Sequence, residues 1–488
     1  MEAGVQNIET GVRNIEVGVR SMEVGVRNIE VGVRSMEVGV RNVEAGVRSM
    51  EVGVPNMEAG VQNVETGVRS IEAGVKRRGF MIQWELIGET RLPIRSWCRD
   101  IEEDALKQAR NLANHPVTRE RIALMPDAHV GYGMPIGGVI ACEEAVIPNA
   151  VGVDIGCGMG AIKTSLAAER LGDMAARRAL IEEIKTHIPV GEGRSRKEPM
   201  DWEGFSQWRD SLGGAAEPAW YTDKACQKLD RCNLGTLGGG NHFIELQKSE
   251  DGALWLMLHS GSRNLGYRIA DFYHRQAMLL NERIGVELPD KQLAYLPLDH
   301  ELGQAYVRDM NHALGYAKEN RLIMMRQLKD IVYAHFPSIE FLLEINIHHN
   351  YAAPEYHDGA LYWIHRKGAT SARAGELGII PGSMGSASYI VSGLGNEASF
   401  SSCSHGAGRR MGRADACRRL TRQECDDAMT GIVFDRWKPS HIKAAGSKRL
   451  PDLSEAPGAY KDIDRVIKAE SDLVHPEVKL RPLAVVKG

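Results

Sequence analysis

The sequence has few of the features that mark a membrane, secreted or strongly basic protein. None of its apolar runs approaches the roughly 18 residues of a membrane span, and its start lacks the basic-then-apolar pattern of a secretory signal. The formal net charge is −4, so no overall positive field attracts nucleic acid, and any RNA contact must come from local Arg and Lys patches. We therefore expect a cytoplasmic protein.

Cysteine is present, but not in a pattern that suggests disulfides. The eight cysteines are scattered and include no C-x-x-C pair, which in a long chain favours reduced thiols over a disulfide framework. The composition is 43% hydrophobic and 25% charged over 488 residues. It is that of a globular protein that can bury a sizeable core.

Residues 7–76 form a tandem repeat of ten heptads, each with Glu at its third and Gly-Val at its fifth and sixth positions. Apolar residues such as Ile8, Val12 and Ile15 are spaced by four and three, as in a coiled-coil seam. Each heptad also carries a glycine, which costs a helix roughly 1 kcal/mol relative to alanine, and Pro55 interrupts any helix. We expect residues 1–80 to be a disordered or weakly helical arm. We favour the interpretation that the arm is an extension produced by duplicated DNA. The alternative is an arm that oligomerises the protein or tracks RNA.

The rest of the chain, residues 81–488, has the pattern of an α+β domain. Short apolar runs at 243–246, 254–258 and 361–364 predict buried or half-buried strands. Apolar residues at helical spacing predict a long helix or helical hairpin over about 300–335. Residues 190–222 are polar and glycine-rich and include Arg194, Arg196 and Lys197, which predicts a surface loop or lid.

Five short segments combine glycine-rich flanks with a potential metal ligand. Such flanks let the backbone turn tightly and approach a ligand closely. The segments contain, in chain order, Asp154 with Cys157, His242, His259, His349 and His405. Each histidine alone is as well explained as a hydrogen-bonded structural residue, and Asp154 with Cys157 as a turn cap and a buried thiol.

Taken together, these segments predict a site for one or two divalent ions. One Asp, one Cys and three His supply five ligands, and a thiolate can bridge two ions. Two adjacent metals suit phosphoryl transfer, because they stabilise both the attacking and the leaving oxygen. The ligand types leave the metal open: Cys and imidazole favour Zn, whereas Asp together with phosphate oxygens suits Mn or Mg.

Seven motifs then follow in a recognisable order and resemble those of the RtcB family of RNA ligases. They are Met125-Pro-Asp127-Ala-His129, Asp154-Ile-Gly-Cys157-Gly-Met, Gly240-Asn241-His242-Phe-Ile-Glu245, His259-Ser-Gly-Ser-Arg263, His349-Asn350, Pro381-Gly-Ser-Met-Gly and Ser404-His405-Gly-Ala-Gly-Arg409. The resemblance spans nearly all of 81–488 and ends in the penultimate Lys487. It implies a single catalytic domain with a β-sheet core and flanking helices.

The resemblance also implies roles for individual residues. Asp154, Cys157, His242, His259 and His349 would bind two Mn²⁺ ions, with Cys157 bridging: Cys157, His259 and His349 would hold one ion, and Asp154, Cys157 and His242 the other. His405 would be the nucleophile that takes GMP from GTP. The positions matching guanine-nucleotide contacts are Asn241, Glu245, Asn350, Pro381, Gly382, Ser383, Met384, Ser388, Gly406, Ala407, Gly408 and Lys487.

The activity implied by the resemblance is the joining of RNA ends. An RNA 3′-phosphate or 2′,3′-cyclic phosphate would be joined to a 5′-hydroxyl through a histidine-GMP intermediate, in tRNA splicing or RNA repair, with an archease-like protein as a possible activator. The main alternative is a metal-dependent phosphoesterase without a covalent nucleotide. It explains the metal ligands but not His405 in its Gly-Ala-Gly turn.

Basic residues near these motifs have two interpretations. Arg263, Arg409, Arg410 and Arg413 are expected to contact phosphates, because a guanidinium fork matches phosphate oxygens. Arg418, Arg419 and Arg422 are expected on a solvated helix face. Asp127 is expected in a turn, where it either caps the turn or supports the metal site or a substrate hydroxyl.

We predict that deleting residues 1–80 leaves GMP attachment and RNA joining unchanged, because the motif set begins only after Met81 and ten glycines oppose a stable helix. A joining assay and light scattering on the truncated chain provide the measurement. Loss of activity together with a smaller assembly would show instead that the apolar seam assembles the enzyme.

Overall fold

A computed structural model describes residues 82–443 and 449–488. The predicted arm, residues 1–80, therefore lies outside the described residues. The described part of the chain mixes helices with β-sheets, as predicted for an α+β protein. Its α-helices are α1 Glu103–Ala113, α2 Pro148–Val151, α3 Met174–His187, α4 Glu203–Asp210, α5 Lys224–Asn233, α6 Arg263–Arg283, α7 Glu301–His335, α8 Arg413–Arg419, α9 Arg422–Ala428 and α10 Ile463–Ala469.

The strands are short except at three places, β3, β6 and β19. In chain order they are β1 Trp84–Leu86, β2 Ile94–Ser96, β3 Thr118–His129, β4 Ile136–Cys142, β5 Ala145–Val146, β6 Gly158–Ala167, β7 Phe243–Ser249, β8 Ala253–Ser260, β9 Leu296–Pro297, β10 Phe341–His348, β11 Asn350–His357, β12 Ala360–Lys367, β13 Ala369–Ser371, β14 Leu377–Ile380, β15 Ser388–Gly393, β16 Ser402–Ser404, β17 Pro439–Lys443, β18 Arg449–Pro451 and β19 Val474–Lys487.

Two large sheets carry most of these strands. The first has the order β1-β2-β3-β4-β12-β11, and only its β2–β3 pair is parallel. The second has the order β10-β6-β8-β7-β19-β15-β14 and is antiparallel throughout. The chain passes from the second sheet to the first at His349, between β10 and β11.

Strand β8 shows how the second sheet is covered on both faces. Leu254, Leu256 and Leu258 pack in one core cluster with side chains of α7. Trp255 and Met257 point the other way, into a second cluster. Side chains alternate along a strand, so an apolar run of this length is expected where neither face meets water. His259 continues the Trp255–Met257 face, which places it at the end of the strand on the same side as those two residues.

Several sequence predictions are confirmed. The runs at 243–246, 254–258 and 361–364 lie in β7, β8 and β12, and the helical pattern at 300–335 becomes the single helix α7. The side chain of His300 begins that helix by accepting a hydrogen bond from the backbone N–H of Leu302 at 3.1 Å. All eight cysteines are free thiols. Within the described residues we find no helix with the length and apolarity needed to cross a membrane.

The prediction of a surface loop over 190–222 is wrong in its middle part. Residues 203–210 form α4, which buries Phe205 and Trp208. Arg196 is also bound within the fold: its Nε and Nη2 donate to the backbone oxygens of Leu234 and Gly235, each at 2.9 Å. The many polar and glycine residues of this segment concealed a few aromatic side chains that anchor it to the core.

Two tryptophans of this segment form hydrogen bonds to a buried carboxylate on α7. Asp309 is fully buried and accepts hydrogen bonds from Trp208 Nε1 at 2.9 Å, Trp220 Nε1 at 2.9 Å and Tyr273 Oη at 2.6 Å. Arg308 Nε donates to the same carboxylate at 2.8 Å. Removing the acceptor would leave these donors buried without partners, which costs more than the bonds themselves contribute.

We predict that Asp309→Ala lowers the free energy of unfolding by about 3 kcal/mol or more, because it leaves three buried donors and the half-buried Arg308 guanidinium without their partner. Thermal unfolding of the full chain measures the effect. The control is Asp271→Ala, which removes an exposed ion pair to Arg275 on α6 and should change stability by less than about 1 kcal/mol. Equal effects of the two changes would contradict the role assigned to Asp309.

Candidate active site

Three of the predicted metal ligands lie together beside the second sheet. Cys157 Sγ is 3.2 Å from His259 Nε2 and 3.5 Å from His242 Nε2. Their donor atoms all lie within 4.8 Å of one another, and all three residues are buried. Cys157 immediately precedes β6, His242 precedes β7 and His259 lies near the end of β8. Neighbouring antiparallel strands therefore bring together ligands that are up to 102 residues apart in sequence.

The other two predicted ligands flank this group. Asp154 Oδ2 is 3.2 Å from His242 Nε2, and His349 Nε2 is 3.3 Å from His259 Nε2. Contacts therefore run from Asp154 through His242, Cys157 and His259 to His349. Glycine is needed for this approach, since a Cβ added to Gly261 would lie 2.4 Å from the carboxylate oxygens of Asp154.

The hydrogen bonds of the imidazoles fix which nitrogen is free. His242 Nδ1 lies 2.9 Å from the backbone oxygen of Leu237, and His259 Nδ1 lies 3.3 Å from that of Asn241. A carbonyl oxygen only accepts, so Nδ1 carries the proton in both rings and Nε2 presents its lone pair to Cys157. This arrangement is the one that metal-binding histidines adopt.

The electrostatics of the group fit a cation. Burial lowers the pKa of His259 and of His349 well below the usual value, so both rings are neutral. The Nε2 atoms of these two rings face each other at 3.3 Å, so a cation beside them could accept a lone pair from each ring. Burial also raises the pKa of the Cys157 thiol well above its usual value. A metal ion that binds here must displace that proton.

His405, the predicted nucleophile, lies next to the cluster. It follows β16, and its ring is 4.8 Å from that of His349 at an interplanar angle of 73°. Its Nδ1 is 2.6 Å from Asp127 Oδ2, and its backbone N–H donates to the same oxygen at 3.2 Å. Asp127 thereby orients the ring and leaves Nε2 free.

The expectation that Asp127 lies in a turn is wrong. It belongs to β3 of the first sheet and is fully buried. Gly408 packs directly on it with a φ of +69°, where an added Cβ would lie 2.3 Å from the Asp127 backbone oxygen. The sequence signalled Asp127 only by its place in a motif, because its partner is 278 residues away.

A cavity opens beside His405 and contains most of the predicted nucleotide positions. It is lined by Asn241, Glu245, Pro381, Gly382, Ser383, Met384, His405, Gly406, Ala407, Gly408 and Lys487, and also by His129, Ile136, Phe243, His259, Arg409, Arg413 and Tyr460. The 381–384 turn is joined to the 405–408 turn by a hydrogen bond from the backbone N–H of Ala407 to the oxygen of Pro381 at 2.9 Å. Burial raises the pKa of Glu245 to about 7.

Two predicted nucleotide positions do not line this cavity. Ser388 Oγ accepts hydrogen bonds from Gln247 Nε2 at 3.1 Å and from the backbone N–H of Gly382 at 3.3 Å, so it supports the turn from behind. Asn350 Nδ2 donates to the backbone oxygen of Asp154 at 3.1 Å, and its Oδ1 accepts from the backbone N–H of Gly368 at 2.8 Å. Asn350 thus supports the metal-ligand loop in this structure.

Glu455 is a residue of the site that the sequence did not reveal. Arg409, Arg413 and Lys487 all form ion pairs with it, at 3.2, 3.2 and 3.3 Å. Burial opposes its ionisation, but these three charges overcome that effect and lower its pKa to about 2. Arg409 and Arg413 therefore reach the cavity already paired. Glu455 lies in no motif, so only the fold could assign it to the site.

The other arginines named in the sequence analysis contact other protein groups or face solvent. Arg410 Nε donates to the backbone oxygen of Gly458 at 2.8 Å, and Arg263 Nε contacts Thr236 Oγ1 at 3.4 Å. Arg418, Arg419 and Arg422 are exposed on α8 and α9. The prediction of a solvated helix face is confirmed for these three.

Comparison with known proteins supports one family. A family profile described as tRNA-splicing ligase RtcB matches residues 108–488. The RNA-splicing ligase RtcB of Escherichia coli (strain K12) is 40% identical over 426 residues, which cover 83% of this chain and all of that protein. The tRNA-splicing ligases RtcB of Methanococcus maripaludis and Thermococcus kodakarensis are 33% and 32% identical. They cover 80% and 79% of this chain, with 92% of each relative matched.

We predict that Cys157→Ala removes both metal ions, because its sulfur lies between His242 and His259 and can serve two ions. His242→Ala and His349→Ala, at opposite ends of the group, should each weaken mainly one ion. Metal counting on the purified variants provides the measurement. Two metals per chain in Cys157→Ala would rule out the bridging thiolate.

Proposed function

We propose that this chain, which belongs to the RtcB family, is an RNA ligase that uses GTP and two Mn²⁺ ions. It joins an RNA 3′-phosphate or 2′,3′-cyclic phosphate to a 5′-hydroxyl, in tRNA splicing or RNA repair. The names of the relatives, RNA-splicing ligase and tRNA-splicing ligase, support this reaction class. The proposal includes a cytoplasmic location and an archease-like activator, both of which the family resemblance implies.

The proposal depends on one observation. His405, oriented by Asp127, lies between the metal-binding group and the cavity lined by the turns at 381–384 and 405–408. His405 is held by Asp127 on one side and meets His349 on the other. Its ring also lines the cavity that contains Glu245 and Lys487. A phosphoesterase needs the metal-binding group but has no use for a second, independently oriented histidine in a glycine-rich turn.

In this proposal His405 divides one displacement at phosphorus into two. Its neutral imidazole attacks the α-phosphorus of GTP through Nε2, and the bond to pyrophosphate breaks. Positive charge then develops on the ring, and the Asp127 carboxylate at Nδ1 stabilises it. The GMP passes to an oxygen of the RNA 3′-phosphate, which restores neutral His405. A 5′-hydroxyl then attacks that phosphate, and GMP leaves as the new phosphodiester forms.

The five-ligand group would hold the Mn²⁺ ions. Asp154, Cys157, His242, His259 and His349 offer carboxylate, thiolate and imidazole donors, which suit a divalent transition metal. When bound, the ions neutralise phosphate charge and stabilise attacking and leaving oxygens. The protein contributes the fixed orientation of the rings through the backbone oxygens of Leu237 and Asn241.

The cavity residues supply nucleotide selection. The Glu245 carboxylate can accept from the N1 and N2 groups of guanine, which would favour GTP over ATP. Lys487 donates to the backbone oxygen of Asn241 at 3.2 Å and pairs with Glu455, so its ammonium group is already fixed at the cavity wall. Glycine and alanine at 406–408 leave room for the ribose and phosphates beside His405.

We predict that His405→Ala abolishes covalent GMP attachment while leaving metal content largely intact, because the imidazole is outside the five-ligand group. The assay is incubation with labelled GTP and Mn²⁺ followed by denaturing electrophoresis. In the unaltered chain the label should be stable to base and sensitive to acid, as a phosphoramidate is. If the wild-type chain takes no label from GTP but still hydrolyses phosphate esters, the phosphoesterase alternative is favoured.

Asp127→Asn tests whether Asp127 orients the ring of His405. It retains size and burial but removes the negative charge at Nδ1, so GMP attachment should slow by roughly a hundredfold or more without loss of metal. An unchanged rate would show that the hydrogen bond to Asp127 is structural only.

A further inference from the structure

A second buried carboxyl lies behind His405, and the proposed reaction does not use it. Glu470 follows the last residue of α10 and is fully buried. Its Oε2 accepts a hydrogen bond from the backbone N–H of Ser404 at 2.8 Å. Ser404 immediately precedes His405, so Glu470 holds the strand from which the candidate nucleophile projects.

The polar atoms near Glu470 form an unusual buried layer. Within the described residues, Glu470 Oε1, Asp127 Oδ1, Ser404 Oγ and Thr370 Oγ1 are buried and have no hydrogen-bond partner. Thr370 lies on β13, opposite Cys403 of β16. In the described part of the chain neither carboxyl forms an ion pair with a lysine or arginine, and Asp127 is paired with His405. Two negative charges in this layer would be poorly compensated.

The groups that face Glu470 favour its neutral form. Burial raises its pKa to about 8, and the charges of Asp127 on β3 and of Asp472 add to that shift, while the hydrogen bond from the Ser404 backbone N–H opposes it. The thiol of Cys403 also faces it, and burial keeps that thiol protonated. Of the two carboxyls, Asp127 is the one that contacts the imidazole of His405 directly, through Oδ2 at 2.6 Å from Nδ1.

We propose that Glu470 is a positioning residue for His405, which holds the Ser404 N–H with a neutral carboxyl and leaves the negative charge behind the imidazole to Asp127. This inference rests on the proposed nucleophilic role of His405. Its physical basis is that a carbonyl oxygen can anchor the strand without adding charge. An ionised Glu470 would repel the nearby Asp127 carboxylate, which holds the His405 ring.

The protonation state is tested by comparing the pH dependence of stability of Glu470→Gln with that of the unaltered chain. A neutral glutamate must ionise on unfolding whenever the pH exceeds its ordinary pKa of 4.5. Wild-type stability therefore falls relative to Glu470→Gln from about pH 5 upward, and the difference levels off above about pH 8. We expect the difference in Tm to grow by several degrees over that range. A difference that does not change with pH would overturn the proposal.

The positioning role is tested by GMP attachment at pH 7. Glu470→Gln should label within a few fold of the wild-type rate, because its amide oxygen still accepts from the Ser404 N–H. Glu470→Ala should label roughly tenfold more slowly or worse per folded molecule, since small displacements of a nucleophile are costly. Wild-type labelling by Glu470→Ala, or loss of labelling by Glu470→Gln, would each refute the assignment.

The two readouts separate this inference from the proposed function. If the unaltered chain takes no label from GTP, the ligase proposal fails, but the stability comparison still reports the state of Glu470. Asp230→Asn is the control: Asp230 is another buried carboxyl with a raised pKa, paired with Arg268 and remote from the cavity lining. It should alter stability without altering the labelling rate per folded molecule.

Discussion

The hydrogen bond between Asp127 and His405 is the contact on which the organisation of the site depends. It joins β3 of the first sheet to the turn after β16, and that turn also forms a wall of the cavity beside His405. The same histidine meets His349, which lies at the junction of the two sheets. One side chain is thus fixed relative to the metal-binding group and the cavity together. For the proposed nucleophilic role, such an orientation means that the ring need not rearrange before it attacks, and fixed orientation is a large source of catalytic gain.

Burial sets the charge of nearly every group around that contact. It keeps the imidazoles of His259 and His349 neutral and the thiol of Cys157 protonated. These are good ligands for a cation but a poor environment for an isolated charge. Packing thus prepares this group of donors for a cation, since the protein has desolvated them in advance.

Glu245, which lines the cavity, and Glu455, which pairs with three of its cations, show how local partners decide the charge of a buried carboxyl. Glu455 is surrounded by Arg409, Arg413 and Lys487, so it is ionised and serves to hold those cations. Glu245 is buried with Gln247 as its hydrogen-bonding neighbour, and its pKa is raised to about 7. A carboxyl in that state can respond to a ligand, whereas Glu455 cannot. Environments that push equivalent groups apart are typical of active sites.

The sequence by itself determined the family, the strands β7, β8 and β12, the long helix α7 and the identity of the histidines, Asp154 and Cys157 as a group. These follow from local patterns: side-chain periodicity, glycine-rich turns and motif order. It could not determine the strand position of Asp127, the pairing of Glu455 with three cations, the location of Glu470 behind His405 or the helix within 190–222. Each of these depends on contacts between residues far apart in the chain, where burial and pairing, which no local pattern encodes, decide both conformation and charge.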